Sequence, residues 1–111
     1  MAIVYKNIKE LWTMLNPNHK KVVIALYHKR KSDEYMRNSN LGYMQLPYIT
    51  SYCGFQKNAT AAGCVQGLRV AELVKMEEQL GFDNIGKRYY RLTNKFYKQL
   101  RNAEEKGEII L

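Results

Sequence analysis

Cysteine and proline are scarce in this chain of 111 residues, which holds two of each. Two thiols, Cys53 and Cys64, are too few for the disulfide framework of a small secreted domain and lack the four-ligand pattern of a structural zinc site. The two prolines, Pro17 and Pro47, fall where helices can begin, since proline is tolerated at the first helical position. Long hydrophobic runs are missing as well. The longest, residues 22–27, is far short of the ~20 residues that cross a bilayer, and the N-terminus lacks the pattern of a secretory signal, so a soluble cytoplasmic protein with no membrane partner is expected. His19 and His28 are nine apart with no carboxylate pair around them, neither cysteine has a nearby base, and no glycine-rich phosphate loop or metal motif occurs. No catalytic residue, metal site or cofactor is therefore expected, and the chain does not read as an enzyme.

Acid is the other local absence. Residues 35–71 contain no Asp or Glu, and neither do residues 84–103, where Lys87, Arg88, Arg91, Lys95, Lys98 and Arg101 are concentrated. Over the whole chain 18 Lys and Arg face 10 Asp and Glu, a formal charge of +8, which favours a polyanionic partner whose binding depends steeply on salt. Charged and hydrophobic fractions of 25% and 46% are those of an ordinary globular domain. A chain of this length makes one compact domain.

Hydrophobic spacing gives the order of elements. Ile3 or Val4, Ile8, Leu11, Trp12 and Leu15 recur at helical spacing and predict an amphipathic N-terminal helix. Asn16 and Pro17 end it and start a second helix over residues 17–31, closed by a cationic HKRK run that suits the helix dipole. Residues 32–42 read as a polar loop and residues 43–46 as a short strand. Pro47 opens a helix that stops at Gly54, and Asn58 caps another running to about Leu73, with Gly63 and Gly67 inside it. Residues 74–77 and 87–92 read as the strands of a hairpin joined by a loop over residues 78–86. Thr93 caps a last helix whose stripe is Phe96, Tyr97, Leu100 and Ala103, ended by Gly107.

That order, with the stretch LPYITSYCGFQKNATAAGCVQGLRVAELV and the strand RYYRLT leading at once into a helix, resembles the winged helix-turn-helix transcription regulators, particularly the MarR-like and PadR-like groups. The resemblance covers about residues 18–107. It implies a mainly α fold with a small β-hairpin and an extra helix at each end. The single domain divides into an N-terminal helix over residues 1–16, a winged-helix core over 17–93 and a C-terminal helix over 94–107. Ile49, Cys53 and Phe55 match inward positions of the first motif helix and its turn. Ala61, Cys64, Val65 and Leu68 match those of the second, and Tyr90 and Leu92 those of the returning strand.

By the family's docking geometry the second motif helix enters the major groove of double-stranded DNA. The resemblance then assigns DNA contacts to Gln56, Lys57, Asn58, Thr60, Gln66 and Arg69, and wing contacts to Lys87, Arg88 and Arg91. Asn58 or Gln66 suits adenine and Lys57 a phosphate, and the small Ala62, Gly63 and Gly67 let the helix lie close to the duplex. Two departures stand out. Glu72 replaces the glycine many members carry before the hairpin, and residues 77–86 hold Glu77, Glu78 and Asp83 among Leu80, Phe82 and Ile85, an acidic and partly apolar tip that binds phosphate poorly.

Cys53 and Cys64 both face the interface of the two motif helices in this register, as two small core residues or as a disulfide that stiffens the motif by about 2 to 3 kcal/mol. A bridge would suit an intracellular protein of a hyperthermophile. Abundant Tyr and Lys are compatible with an archaeal or viral source, and a viral protein would work in the host cytoplasm. The terminal helices offer more apolar surface than a minimal winged helix needs, either to form a homodimer on a pseudo-palindromic site or to complete the chain's own core. Two functions compete: a homodimeric regulator binding specific duplex DNA, and a winged-helix module that binds proteins instead, which the acidic wing tip favours.

Overall fold

The computed structural model describes residues 5–39, 41–80 and 86–111. Its elements in chain order are α1 (Ile8–Met14), α2 (Pro17–Tyr35), β1 (Met44–Gln45), α3 (Leu46–Cys53), α4 (Asn58–Val70), β2 (Val74–Leu80), β3 (Gly86–Leu92) and α5 (Asn94–Glu105). Ile3, Val4, Phe82, Asp83 and Ile85 lie outside the described residues.

Local chemistry accounts for most of the boundaries. The Asn7 carboxamide accepts the Glu10 N–H at 2.9 Å and starts α1. Residues 5–7 are not helical, so α1 is shorter than the stripe predicts. Asn16 caps α2 through the His19 N–H at 2.8 Å, ahead of Pro17. Gly54, at φ +73°, ends α3 in the left-handed conformation, where a Cβ is costly. Thr93 accepts the Phe96 N–H at 3.4 Å and opens α5.

Four expectations are corrected. Residues 32–35 are the last turn of α2 rather than loop, because Lys29 pairs with Asp33 and Arg30 with Glu34 at i,i+4 spacing. Asp33 is buried and accepts the Gly42 N–H at 2.7 Å, which anchors the connection to β1. The HKRK run thus lies inside α2 and not at its end. Lys57, not Asn58, is the N-cap of α4, and no side chain caps that helix. α4 ends at Val70 and not Leu73: the Leu73 N–H returns to the Leu68 carbonyl across Glu72, which takes φ +63°. The hairpin is longer than predicted, with Glu78 and Gln79 within β2 opposite Arg88 and Lys87, and Gly86 within β3.

β3 is the central strand of an antiparallel sheet ordered β1-β3-β2. Met44 faces Tyr90 on one side, and Val74 faces Leu92 on the other. The core gathers Val22, Val23 and Leu26 of α2, Ile49 of α3, Val65 and Leu68 of α4, and Leu92 of β3. Each expected inward position is buried or packed on this cluster, Cys53 and Phe55 being half-buried. Leu11 of α1, Leu15 just after it, and Phe96, Tyr97, Leu100 and Ala103 of α5 are also buried within the single chain. The terminal helices therefore spend their apolar stripes on their own core.

Carboxylates bind α5 to α2. Glu34 accepts from Arg30, from Arg101 at 3.2 Å and from the Tyr97 hydroxyl at 2.9 Å. Glu104 accepts from Lys31 at 2.7 Å and from the Tyr27 hydroxyl at 2.9 Å. Burial, then the bond to Glu34, pushes the Tyr97 phenol up to about 12.

Candidate nucleic-acid interface

α4 is amphipathic in a simple way. Ala61, Cys64, Val65 and Leu68 turn inward, and Asn58, Thr60, Gly63 and Gln66 remain exposed, with Gln56 and Lys57 exposed in the preceding turn. Neither motif helix carries an acidic side chain. The positive end of the α4 dipole, left without a side-chain cap, lies beside Lys57. Short side chains, a local excess of positive potential and an open helix face are what a helix needs to lie against base edges in a groove.

The two glycines differ. A Cβ on Gly63 would meet nothing within 4 Å, whereas one on Gly67 would come within 3.2 Å of His19 Nε2. Gly67 is exposed as well, and a Cβ there would press on the end of the His19 side chain of α2. Arg69 is half-buried and donates to Gln66 Oε1 at 3.4 Å, so these two side chains steady one another.

In the wing, Lys87 and Arg88 are exposed on β3, opposite Gln79 and Glu78. The Glu78 carboxylate occupies the space a side chain on Gly86 would need. Arg88 thus shares its surroundings with an acid. Arg91 lies on the face of β3 opposite the buried Tyr90 and Leu92: it is half-buried, its guanidinium lies 4.8 Å from the centre of the Tyr43 ring, and its Nε is buried without a hydrogen-bond partner among the described residues. Burial raises the Tyr43 phenol and its hydrogen bond to Glu77 adds to this, while Arg91 opposes the shift. The Tyr43–Arg91–Glu77 group was not anticipated from the sequence. Strand alternation could have put Glu77 and Arg91 on one face, but not Tyr43, which arrives from before β1.

Cys53 and Cys64 are both free thiols, Cys53 half-buried and Cys64 buried. Burial raises both, and for Cys53 the neighbouring Cys64 raises it further while Lys21 lowers it. They are adjacent, as the helical register requires, but unbonded. Among the described residues no group of His, Cys, Asp and Glu could hold a metal ion, and no helix is long and apolar enough to cross a membrane.

No family model and no curated protein matches the sequence. Solved structures do match. A MarR family regulator from Neisseria meningitidis superposes with a TM-score of 0.59 at 18% identity, over 87% of this chain and 58% of that one. A possible transcriptional regulator from Methanosarcina mazei Go1 gives 0.46 at 16% identity, over 78% of this chain and 73% of that one. The first likeness shows the fold: five helices and a three-stranded antiparallel sheet in the winged-helix arrangement. The chain spans less than three-fifths of the length of the Neisseria protein.

Proposed function

We propose that the chain is a transcriptional regulator that binds specific sequences of double-stranded DNA through the outer face of α4, with the base of the wing on the flanking phosphates. One observation carries this reading: α4 exposes a face of short, polar, acid-free side chains beside Lys57 on a chain of net charge +8. In it Asn58, Thr60 and Gln66 read base edges, and Lys57 and Lys87 neutralise phosphate. Arg88, exposed on the same strand opposite Glu78, adds a phosphate contact weakened by that neighbouring acid. Arg69 and Arg91 act indirectly, by holding Gln66 and the wing in place. A homodimer belongs to the same reading, since two recognition helices related by a two-fold axis fit half-sites about one helical turn, or 34 Å, apart. Its support is this geometry alone, because the apolar stripes of α1 and α5 are buried within the monomer. Such a protein would work in the cytoplasm of a cell, or of the host if viral.

Selection of bound sequences from random duplex, followed by mobility shifts at two salt concentrations, tests the reading. A recurring two-fold motif and affinity that falls steeply with salt are expected. Lys57→Ala should weaken binding to all sequences alike, and Thr60→Ala or Gln66→Ala should change the preferred sequence. Absence of duplex binding at low salt would leave the protein-binding alternative in its place.

A further inference from the structure

Phosphate strands wall a helix on both sides when it lies in a major groove, because the groove is only about 12 Å wide. The two edges of α4 meet those walls differently. Ala62 and Arg69, seven apart, share one edge, while Thr60, Gly63 and Gly67 share the other at offsets of three and four. This second edge has small side chains and no cation of its own.

α2 borders it. The helix packs on both α3 and α4, and His19 Nε2 lies 3.2 Å from the place that a Cβ on Gly67 would take. Two residues further along α2 is Lys21. The Cys53 thiol, raised by burial and by Cys64, is drawn back by the Lys21 charge, which sets that ammonium near the end of α3. Four residues beyond Cys53, Lys57 opens α4. α2 thus carries a cation to the side of the motif where α4 has none.

Lys21 is also the cation of α2 left free. Of the five Lys and Arg in that helix, Lys29, Arg30 and Lys31 pair with Asp33, Glu34 and Glu104, and the Lys20 ammonium lies 5.7 Å from the centre of the Trp12 ring. Lys21 is exposed and forms no ion pair among the described residues. Nor does acid lie close by in sequence, since residues 11–32 hold no Asp or Glu, just as α3 and α4 hold none. A free ammonium in acid-free surroundings is what a phosphate selects.

We propose that Lys21 of α2 is a further DNA-contacting residue, which holds the phosphate strand running along the glycine edge of α4. The inference rests on the reading of α4 as the helix that enters the groove, and adds to it a contact from outside the helix-turn-helix pair. Lys20 supplies the control: it is adjacent and carries the same charge, but is committed to Trp12. Lys21→Gln, Lys21→Arg and Lys20→Gln are titrated with the duplex selected above and with a scrambled duplex of equal length, between about 50 and 200 mM salt. Lys21→Gln should weaken both duplexes alike, by about threefold to tenfold at the lower salt, and reduce the salt slope by about one. Lys21→Arg should keep the wild-type slope, as should Lys20→Gln. An unchanged melting temperature verifies the fold of each variant. A wild-type slope in Lys21→Gln would overturn the proposal, and so would an equal loss in Lys20→Gln, which would make the effect one of net charge. If the wild type binds duplex and Thr60→Ala changes its preference, either result removes Lys21 alone and leaves α4 in place. A wild type that binds no duplex at low salt removes both.

Discussion

Glu72 is held at φ +63° by the chain reversal between α4 and β2, with its own N–H on the Arg69 carbonyl. A residue with a Cβ pays roughly 1 kcal/mol or more for that left-handed conformation. The side chain is exposed, so Glu72→Gly should raise stability by about 0.5 to 1 kcal/mol, read as a higher urea midpoint at unchanged slope. Asp33 is the opposite case. It is buried and accepts both the Gly42 N–H and the Lys29 ammonium, and Gly42, at φ +87°, has no room for a Cβ because Arg30 Cβ would be 2.8 Å from it. Asp33→Ala leaves the Gly42 donor unpaired and should cost about 1 to 3 kcal/mol in the same experiment. The thiols add a chemical check: with burial raising both, alkylation near neutral pH should proceed slowly, at half-buried Cys53 before buried Cys64. Equal rates at the two positions would contradict their placement.

Among the elements, α4 joins stability to recognition. Gly63→Ala fills open space and should stabilise the helix by up to about 1 kcal/mol, while weakening duplex binding if that face enters a groove. Tighter binding by the more stable variant would contradict the assignment of the face. Gly67→Ala should bring no such gain, because the new methyl meets His19. The contact of α5 with α2 responds to pH. Hydrogen bonding from Lys31, aided by Tyr27, holds the Glu104 carboxyl below its ordinary value of 4.5 against the effect of burial. A carboxyl depressed in the folded state contributes stability that is fully present above its unfolded value and is lost as pH falls through its folded value. Stability should therefore drop below about pH 4.5 in the wild type, and by less in Glu104→Gln, as followed by acid titration of the helical signal.

For the whole molecule, the position of charge counts for more than its sum. Several of the 18 basic side chains are already committed: Lys29, Arg30, Lys31 and Arg101 to carboxylates, and Arg91 to the Tyr43 ring. The salt slope of duplex binding should reflect the few exposed cations around α4 and the wing, and not the net charge. Counting from Lys57 and Lys87, with Arg88 as a third, a slope of roughly −2 to −3 per copy is expected, and doubling it indicates two copies on one site. Sedimentation with and without duplex measures the assembly directly. A slope near zero would remove phosphate contact from the account.

Local signals were readable because they act within one or two turns of the chain. Asn16 and Thr93 as caps, Gly54 as a stop, the inward positions of α4 and the pairing of β2 with β3 all follow from such short-range rules. Short range is also where the reading failed by rule: the polar Ser32–Tyr35 turn looks like loop until Asp33 is seen to be buried, and Asn58 looks like a cap until Lys57 takes that place. The tertiary structure alone decided which charges stay available and which surfaces stay open. Lys31 meets Glu104 across 73 positions, and Arg101 meets Glu34 across 67. Pairing over such distances depends on how the helices cross, and no spacing along the chain encodes that crossing.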